Sequence, residues 1–353
     1  MKDLKHIAIK SVLEKTRSLY DKKICAISLA SDNKLSSTVD EVVSTGIVGL
    51  DLVCARSGPR KYGLPFGRQI EIFGNESSGK TTLLLQIAAN TQRIGGMVYW
   101  LETEGGLDLT YAKKLGVNTE EMIVSQPDFA EQVFDEIEVV TQVAEEMNDK
   151  IPITVLWDSV AATQTKQEME GDFGDSHMAS FGRFISQSER KINTALSKQK
   201  ILFVFSNQIR SKIGGYGRPI VTYGEGTLKF YCSIRLQLMN KEQIKEKGSN
   251  AVLGNKVGIK ILKNKCMDTA FFELEPINLI KGKGFIYGSS LVNALDMKHR
   301  IDRSKKGWLG IELEGEFRSY RESDLVNDIE TNSKIKNQCL DLLFKKKKLI
   351  EKE

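Results

Sequence analysis

Gly74-Asn75-Glu76-Ser77-Ser78-Gly79-Lys80-Thr81 fits G-x-x-x-x-G-K-[ST] and lies between an apolar run, Gln69-Ile70-Glu71-Ile72-Phe73, and a Leu/Ala-rich run at 82–89. A strand, this octapeptide and a helix in that order make a phosphate-binding loop. The glycines let the loop turn its backbone N–H groups toward phosphate oxygens, and the start of the following helix adds partial positive charge. The nucleotide contacts are expected from Gly74, Asn75, Glu76, Ser77, Ser78, Gly79, Lys80, Thr81 and Thr82. Lys80 is expected to reach the β- and γ-phosphates, and the Thr81 hydroxyl to ligate Mg²⁺.

The remaining composition is that of a folded chain with more than one domain. It has 353 residues, 41% hydrophobic and 27% charged, which excludes wholesale disorder. The net charge of +5 permits a polyanionic partner without demanding one. The start, Met1-Lys2-Asp3-Leu4-Lys5-His6, has no apolar signal core, and no run approaches the roughly 18 apolar residues of a membrane span. A cytoplasmic protein is expected. Five cysteines lie far apart without a CxxC pair, which reads as reduced thiols rather than a metal site or disulfides.

Leu4, Ile7, Ala8 and Val12 form a helical stripe, and Ser31-Asp32-Asn33-Lys34-Leu35-Ser36-Ser37 is linker-like, so residues 1–38 read as a small N-terminal helical element. From there to 275, strands alternate with helices, the pattern of an α/β core with a mostly parallel sheet. After the phosphate loop the strands are expected at 96–101, 153–157, 201–205, 233–238 and 256–262. Residues 276–353, with Gly-rich turns and amphipathic runs at 288–299 and 334–344, read as a small α+β C-terminal domain ending in a basic tail.

In open α/β sheets, ligands bind beyond the carboxyl ends of the strands. Asp158 ends the apolar run Ile153-Thr154-Val155-Leu156-Trp157 and is expected to complete a metal site with Thr81, holding Mg²⁺ directly or through water. Hydrolysis also needs a group that orients and deprotonates water. Glu104, just past the strand at 96–101, is preferred to Glu102, because Gly105 and Gly106 after it allow close approach of the backbone to the γ-phosphate.

The phosphate loop, Glu104-Gly105-Gly106-Leu107-Asp108, Ser125-Gln126-Pro127-Asp128, Asp158-Ser159-Val160-Ala161-Ala162, Gly174-Asp175-Ser176-His177-Met178, Asn207-Gln208-Ile209-Arg210 and Leu228-Lys229-Phe230-Tyr231 follow one another in the order seen in bacterial RecA strand-exchange recombinases, and the chain resembles that family from about residue 3 to about 344. The resemblance implies a RecA-like phosphate-loop NTPase core with ATP and Mg²⁺ as cofactors. It implies a homologous recombinase that forms helical filaments on single-stranded DNA, pairs that strand with duplex DNA, and works beside a single-strand-binding protein and a loader. By the same resemblance Glu104 is the catalytic carboxylate, Asp108 and Tyr111 contact adenine, and Gln208 senses the γ-phosphate. Lys263 and Lys265 reach a neighbouring subunit's ATP; on spacing alone they would be a solvated edge.

Two loops are expected to meet DNA. The first, about 168–179, includes Gly171 and Met178 and is followed by Arg183 and Arg190; the second, about 209–227, carries Ile209, Arg210, Lys212, Tyr216 and Arg218 among glycines. Basic side chains suit phosphates, and apolar or aromatic ones wedge between bases. Asn75 stands where the family usually has proline, and Glu225 interrupts a usual Gly-Gly. Lys345-Lys346-Lys347-Lys348 stands where bacterial relatives usually carry an acidic tail, which suggests a phage-encoded or otherwise specialised member. A ring helicase on the same core, or a non-catalytic ATP-binding mediator, are the alternatives.

Overall fold

In the computed structural model, residues 2–19, 39–147, 151–171, 178–211, 220–246 and 248–345 are described. Residues 1–38 and 39–353 form separate units. The described part of the first is one helix, α1 (Lys2–Leu19).

The second unit begins with β1 (Val42–Val43), α2 (Val48–Cys54), β2 (Ala55–Gly58) and β3 (Lys61–Pro65), the strands forming a small antiparallel sheet in the order β1-β3-β2. The chain then enters β4 (Gln69–Gly74), α3 (Lys80–Arg93), β5 (Met97–Glu102), α4 (Leu109–Lys114), β6 (Met122–Ser125), α5 (Ala130–Glu146) and β7 (Ile153–Asp158). Next come α6 (Lys166–Glu170), α7 (Met178–Lys198), β8 (Ile201–Ser211), β9 (Ile220–Thr222), α8 (Glu225–Tyr231), β10 (Ile234–Lys245), β11 (Val252–Asn264), β12 (Glu273–Ile280) and β13 (Gly284–Phe285). These strands make a ten-stranded sheet in the order β13-β12-β11-β10-β4-β8-β7-β5-β6, with β9 on β8. From β10 to β6 the strands run parallel, whereas β11, β12 and β13 are added antiparallel.

The parallel strands are mostly apolar because both faces are covered, Glu71 of β4 and Arg235 of β10 being buried as a pair, and successive side chains point to opposite sides. Leu202 and Val204 of β8 pack with Leu83, Leu84 and Ile87 of α3 in one cluster. Ile201, Phe203 and Phe205 point the other way, to Val133 and Ile137 of α5 and Ile185 and Ile192 of α7, where the Trp157 ring stacks on Phe203 at 6.4 Å. On α7 the buried residues Phe181, Ile185, Ile192 and Leu196 recur at helical spacing, which leaves Arg183 and Arg190 on the exposed face.

The expected strands are present, several longer than their apolar runs. The strand expected at 201–205 continues to Ser211 because Ile209, Arg210 and Ser211 pair with Thr222, Val221 and Ile220 of β9. The root of the second expected loop is thus a two-stranded ribbon. Strand β12 passes through Pro276; its register with β11 shifts between Val257 and Ile259, as a residue lacking an N–H requires. Helix α9 (Tyr287–Met297), strands β14 (Ile301–Asp302), β15 (Leu309–Leu313) and β16 (Glu316–Tyr320), and helices α10 (Glu322–Thr331) and α11 (Ser333–Phe344) share a third apolar cluster, which also takes in Val48 and Leu52 of α2. Cys54, Cys232 and Cys339 are buried free thiols and Cys266 is half-buried; Cys25 lies outside the described residues. Among the described residues no helix is long and apolar enough to cross a membrane.

Candidate active site

Helix α3 starts at Lys80, and the loop before it is held open by backbone conformation. Gly79 has φ +93°, and a Cβ there would stand 2.7 Å from the Leu279 side chain. A Cβ on Gly74 would stand 2.4 Å from the Leu238 carbonyl oxygen. Only glycine meets both demands, which is why these two positions of the motif admit no side chain. Lys80 is buried and donates to the carbonyls of Gly74 at 3.3 Å and Asn75 at 3.0 Å, so its ammonium lies curled within the loop. Burial pulls its pKa down, while Glu104, Asp158 and Glu76 oppose the shift.

Strand register brings the other groups to the same level. Gly74 lies opposite Gln208 on β8, and Glu102 on β5 lies opposite Asp158 on β7. The Thr81 hydroxyl donates to Asp158 Oδ2 at 2.6 Å, and Ser206 donates to Asp158 Oδ1. Burial raises the Asp158 pKa, the hydroxyls of Ser206 and Thr81 lower it, and the carboxylates of Glu104 and Glu102 raise it. An alcohol and a carboxylate in contact, both hard oxygen donors, suit Mg²⁺, which takes one or two carboxylates and fills its octahedron with water and phosphate oxygens.

The loop after β5 hangs from Asp158: the backbone N–H groups of Thr103 and Glu104 donate to its carbonyl at 2.8 and 3.2 Å. This places the exposed Glu104 carboxylate over the phosphate loop, where Gln208 Nε2 donates to its Oε1 at 3.4 Å. Glu102 is committed elsewhere. It is buried, accepting from the Trp100 indole at 2.9 Å and from the Gly106 N–H at 3.0 Å. The geometry therefore favours Glu104 over Glu102 as the group free to meet water. Together Glu76, Ser77, Gly79, Lys80, Thr81, Thr82, Glu104, Gln208 and Leu279 line a cleft of about 230 Å³.

Tyr111 reaches the same region, its hydroxyl 3.0 Å from Thr82 Oγ1. Asp108 caps helix α4, its Oδ1 accepting from the N–H groups of Thr110 at 2.8 Å and Tyr111 at 3.1 Å, and so fixes the start of the helix that carries Tyr111. Lys263 and Lys265 stand apart from this cleft. Both donate to the C-terminal carbonyls of α8, Lys263 to Lys229 and Phe230 and Lys265 to Phe230 at 3.4 Å. Burial, with Lys265 nearby, pulls the Lys263 pKa down to about 8.

Of the residues expected to meet DNA, Gly171, Arg183, Arg190 and Arg210 are exposed and Ile209 is half-buried. Met178 starts α7, and Lys212, Tyr216 and Arg218 lie outside the described residues. Arg210 and Tyr223 flank a second cleft, of about 470 Å³, with the guanidinium 4.5 Å from the Tyr223 ring centroid. Tyr223 escaped the sequence reading, and Ser206 is legible there only as part of the polar strand end Ser206-Asn207-Gln208, with no role of its own. Tyr223 had a usable signal, an aromatic residue beside Gly224 at the end of the loop; the bond of Ser206 to Asp158 had none, because it depends on which strands are neighbours.

A family model described as the RecA N-terminal domain matches residues 8–286. The chain is 38% identical over 317 residues to the protein named Protein RecA from Leptospira biflexa serovar Patoc, covering 89% of this chain and 77% of that relative. It is 37% identical over 310 residues to Protein RecA of Colwellia psychrerythraea, covering 87% of this chain and 84% of that one.

Proposed function

We infer the function from one premise, that the chain belongs to the RecA family. It is an ATP-dependent homologous recombinase and DNA-dependent ATPase that forms filaments on single-stranded DNA and catalyses homologous pairing and strand exchange. The observation that carries the site assignment is the convergence of Lys80, Thr81, Asp158, Glu104 and Gln208 at the carboxyl ends of four strands, β4, β7, β5 and β8.

The nucleotide is ATP, its phosphates in the loop 74–81 and its base beside Tyr111 and Asp108. Lys80 exchanges its two carbonyl partners for phosphate oxygens, a stronger charge-assisted contact. Thr81 and Asp158 hold Mg²⁺, which neutralises phosphate charge when bound. Glu104 orients the attacking water and accepts its proton. Gln208 contacts the γ-phosphate in exchange for its contact with Glu104, and so reports nucleotide state to β8 and the DNA loop that follows it. Lys263 and Lys265 supply positive charge to a neighbouring subunit's phosphates, as an arginine finger does.

Arg183, Arg190, Arg210 and the residues at 171, 178, 209, 212, 216 and 218 form the DNA-binding surface. A single-strand-binding protein and a loader are the accessory partners, and the cytoplasm is the setting. A strand-exchange assay with matched and mismatched duplexes tests the whole reading: homology-dependent, ATP-dependent exchange is expected, and duplex unwinding without pairing would point to the helicase alternative.

A further inference from the structure

Beneath the nucleotide cleft, Arg235 of β10 is buried and bound on three sides. It pairs with Glu71 of β4, with Glu225 at the start of α8 at 3.2 Å, and with the Thr222 hydroxyl at 3.2 Å. Its guanidinium also lies 5.1 Å from the Phe73 ring centroid. The other oxygen of Glu71 accepts from Asn207 Nδ2 at 3.0 Å, and the same amide nitrogen donates to the Tyr223 carbonyl at 2.8 Å. Thr222, Tyr223 and Glu225 are the end of the second DNA loop. Glu71 sits on the strand that runs into the phosphate loop at Gly74, and Asn207 immediately precedes Gln208.

Among the groups bonded to one another here, two carboxylates meet one guanidinium, with the half-buried Lys263 opposite Arg235 on β11 close by. Glu71 is fully buried and the Arg235 side chain is 6% accessible, whereas the Glu225 side chain, at 16%, is the outermost. Breaking a buried pair normally strands a charge, which is what makes such pairs costly to open. Here the departure of Glu225 leaves a neutral Glu71–Arg235 pair still hydrogen-bonded to Asn207 and Thr222. Glu225 also opens α8 between Gly224, at φ +68°, and Gly226, so neither neighbour in the chain sets a side chain beside it.

We propose that the Glu225–Arg235 ion pair is a detachable latch, with Glu225 a positioning residue that links the state of the second DNA loop to the phosphate-loop strand. With the latch closed, the returning loop segment is held against β4 and β8, and through Asn207 it sets the start of the Gln208 segment. DNA that draws on the loop competes with the latch, and the nucleotide cleft registers its opening or closing. This rests on the recombinase reading above and adds to it the group through which loop and cleft communicate.

The experiment compares Glu225→Ala and Glu225→Gln with the unaltered chain, using single-stranded oligothymidine and ATP. Each protein's DNA-stimulated rate is normalised to its own DNA-free rate, and oligothymidine affinity is measured with and without a non-hydrolysable ATP analogue. The stimulation ratio should fall by about fivefold or more, the lower range for coupling between two ligand sites. Because equilibrium coupling is reciprocal, the tightening of DNA binding by the analogue should shrink too, and analogue-free DNA affinity should rise, since the contact that competes with DNA is gone. A loss confined to packing would lower the melting temperature and leave both ratios intact. Unaltered coupling in a folded variant of either kind overturns the latch, and the Gln variant, which keeps the side chain's shape, carries the test if the Ala variant does not fold. Absence of DNA stimulation in the unaltered chain would instead overturn the recombinase reading itself.

Discussion

Gln208 and Glu104 meet across the nucleotide cleft, the amide Nε2 of one standing 3.4 Å from the carboxylate Oε1 of the other. They come from β8 and from the loop after β5, two strands separated in the sheet by β7. On the proposed reading, the amide holds the Glu104 carboxylate away from water until a γ-phosphate draws the amide to itself.

Glu104→Gln should therefore keep ATP and DNA affinity while hydrolysis falls by about 10²-fold or more, the scale of a lost general base. Single-turnover hydrolysis beside equilibrium nucleotide binding checks this. A variant that turns over at the normal rate would remove Glu104 from the role.

Lys263 lies opposite Arg235, which lies opposite Glu71, whereas Gly74 lies opposite Leu238. Lys263 is thus set back from its own phosphate loop by about 10 Å along the strand axis. Lys263→Ala and Lys265→Ala proteins should bind ATP as isolated chains yet lose cooperative, DNA-stimulated hydrolysis. Mixing Lys263→Ala with Lys80→Ala protein should restore part of it, since some interfaces then combine an intact loop with an intact lysine. Rates that stay additive at every mixing ratio would rule the shared site out.

Arg210 stacks on Tyr223 at the mouth of the second cleft. If it neutralises one phosphate, Arg210→Ala should weaken single-strand binding and flatten the dependence of log K on log salt by roughly 0.7. Titrations at several salt concentrations measure the slope, and an unchanged slope would place the arginine outside the DNA path.

Glu189 of α7 is buried against Gln69, whose Nε2 donates to its Oε2 at 2.7 Å, and burial pushes its pKa up to about 8. Glu189 Oε1 and Gln69 Oε1 have no partner among the described residues. A protonated Glu189 can satisfy both, its O–H donating to the amide oxygen. With the folded pKa above the ordinary 4.5, the folded chain holds the extra proton between those values. Stability is then greatest below about pH 4.5 as far as this group is concerned and declines as pH rises toward 8, by at most about 1.4 kcal/mol per pH unit. Glu189→Gln should remove that slope, so that its melting temperature gains on the unaltered chain from pH 5 to pH 8. Parallel melting curves over that range would show that Glu189 is ionised in the fold.

What the linear chain determined is whatever depends on neighbours within a few residues. The phosphate loop was legible because its glycines, lysine and threonine act through local backbone geometry, and Gly79 at φ +93° obeys that logic. The parallel strands announced themselves as apolar runs because both sheet faces are covered. The tertiary structure decided which distant groups meet. Glu104 was preferred to Glu102 from the glycines beside it, but the pull of Trp100 and Gly106 on Glu102 appears only when β5 is folded. The contacts of Gln208 with Glu104 and of Glu225 with Arg235 depend on the order β10-β4-β8-β7-β5. That order comes from the packing of α3 on one face and of α5 and α7 on the other, a sum of many weak apolar contacts that no short stretch of sequence encodes.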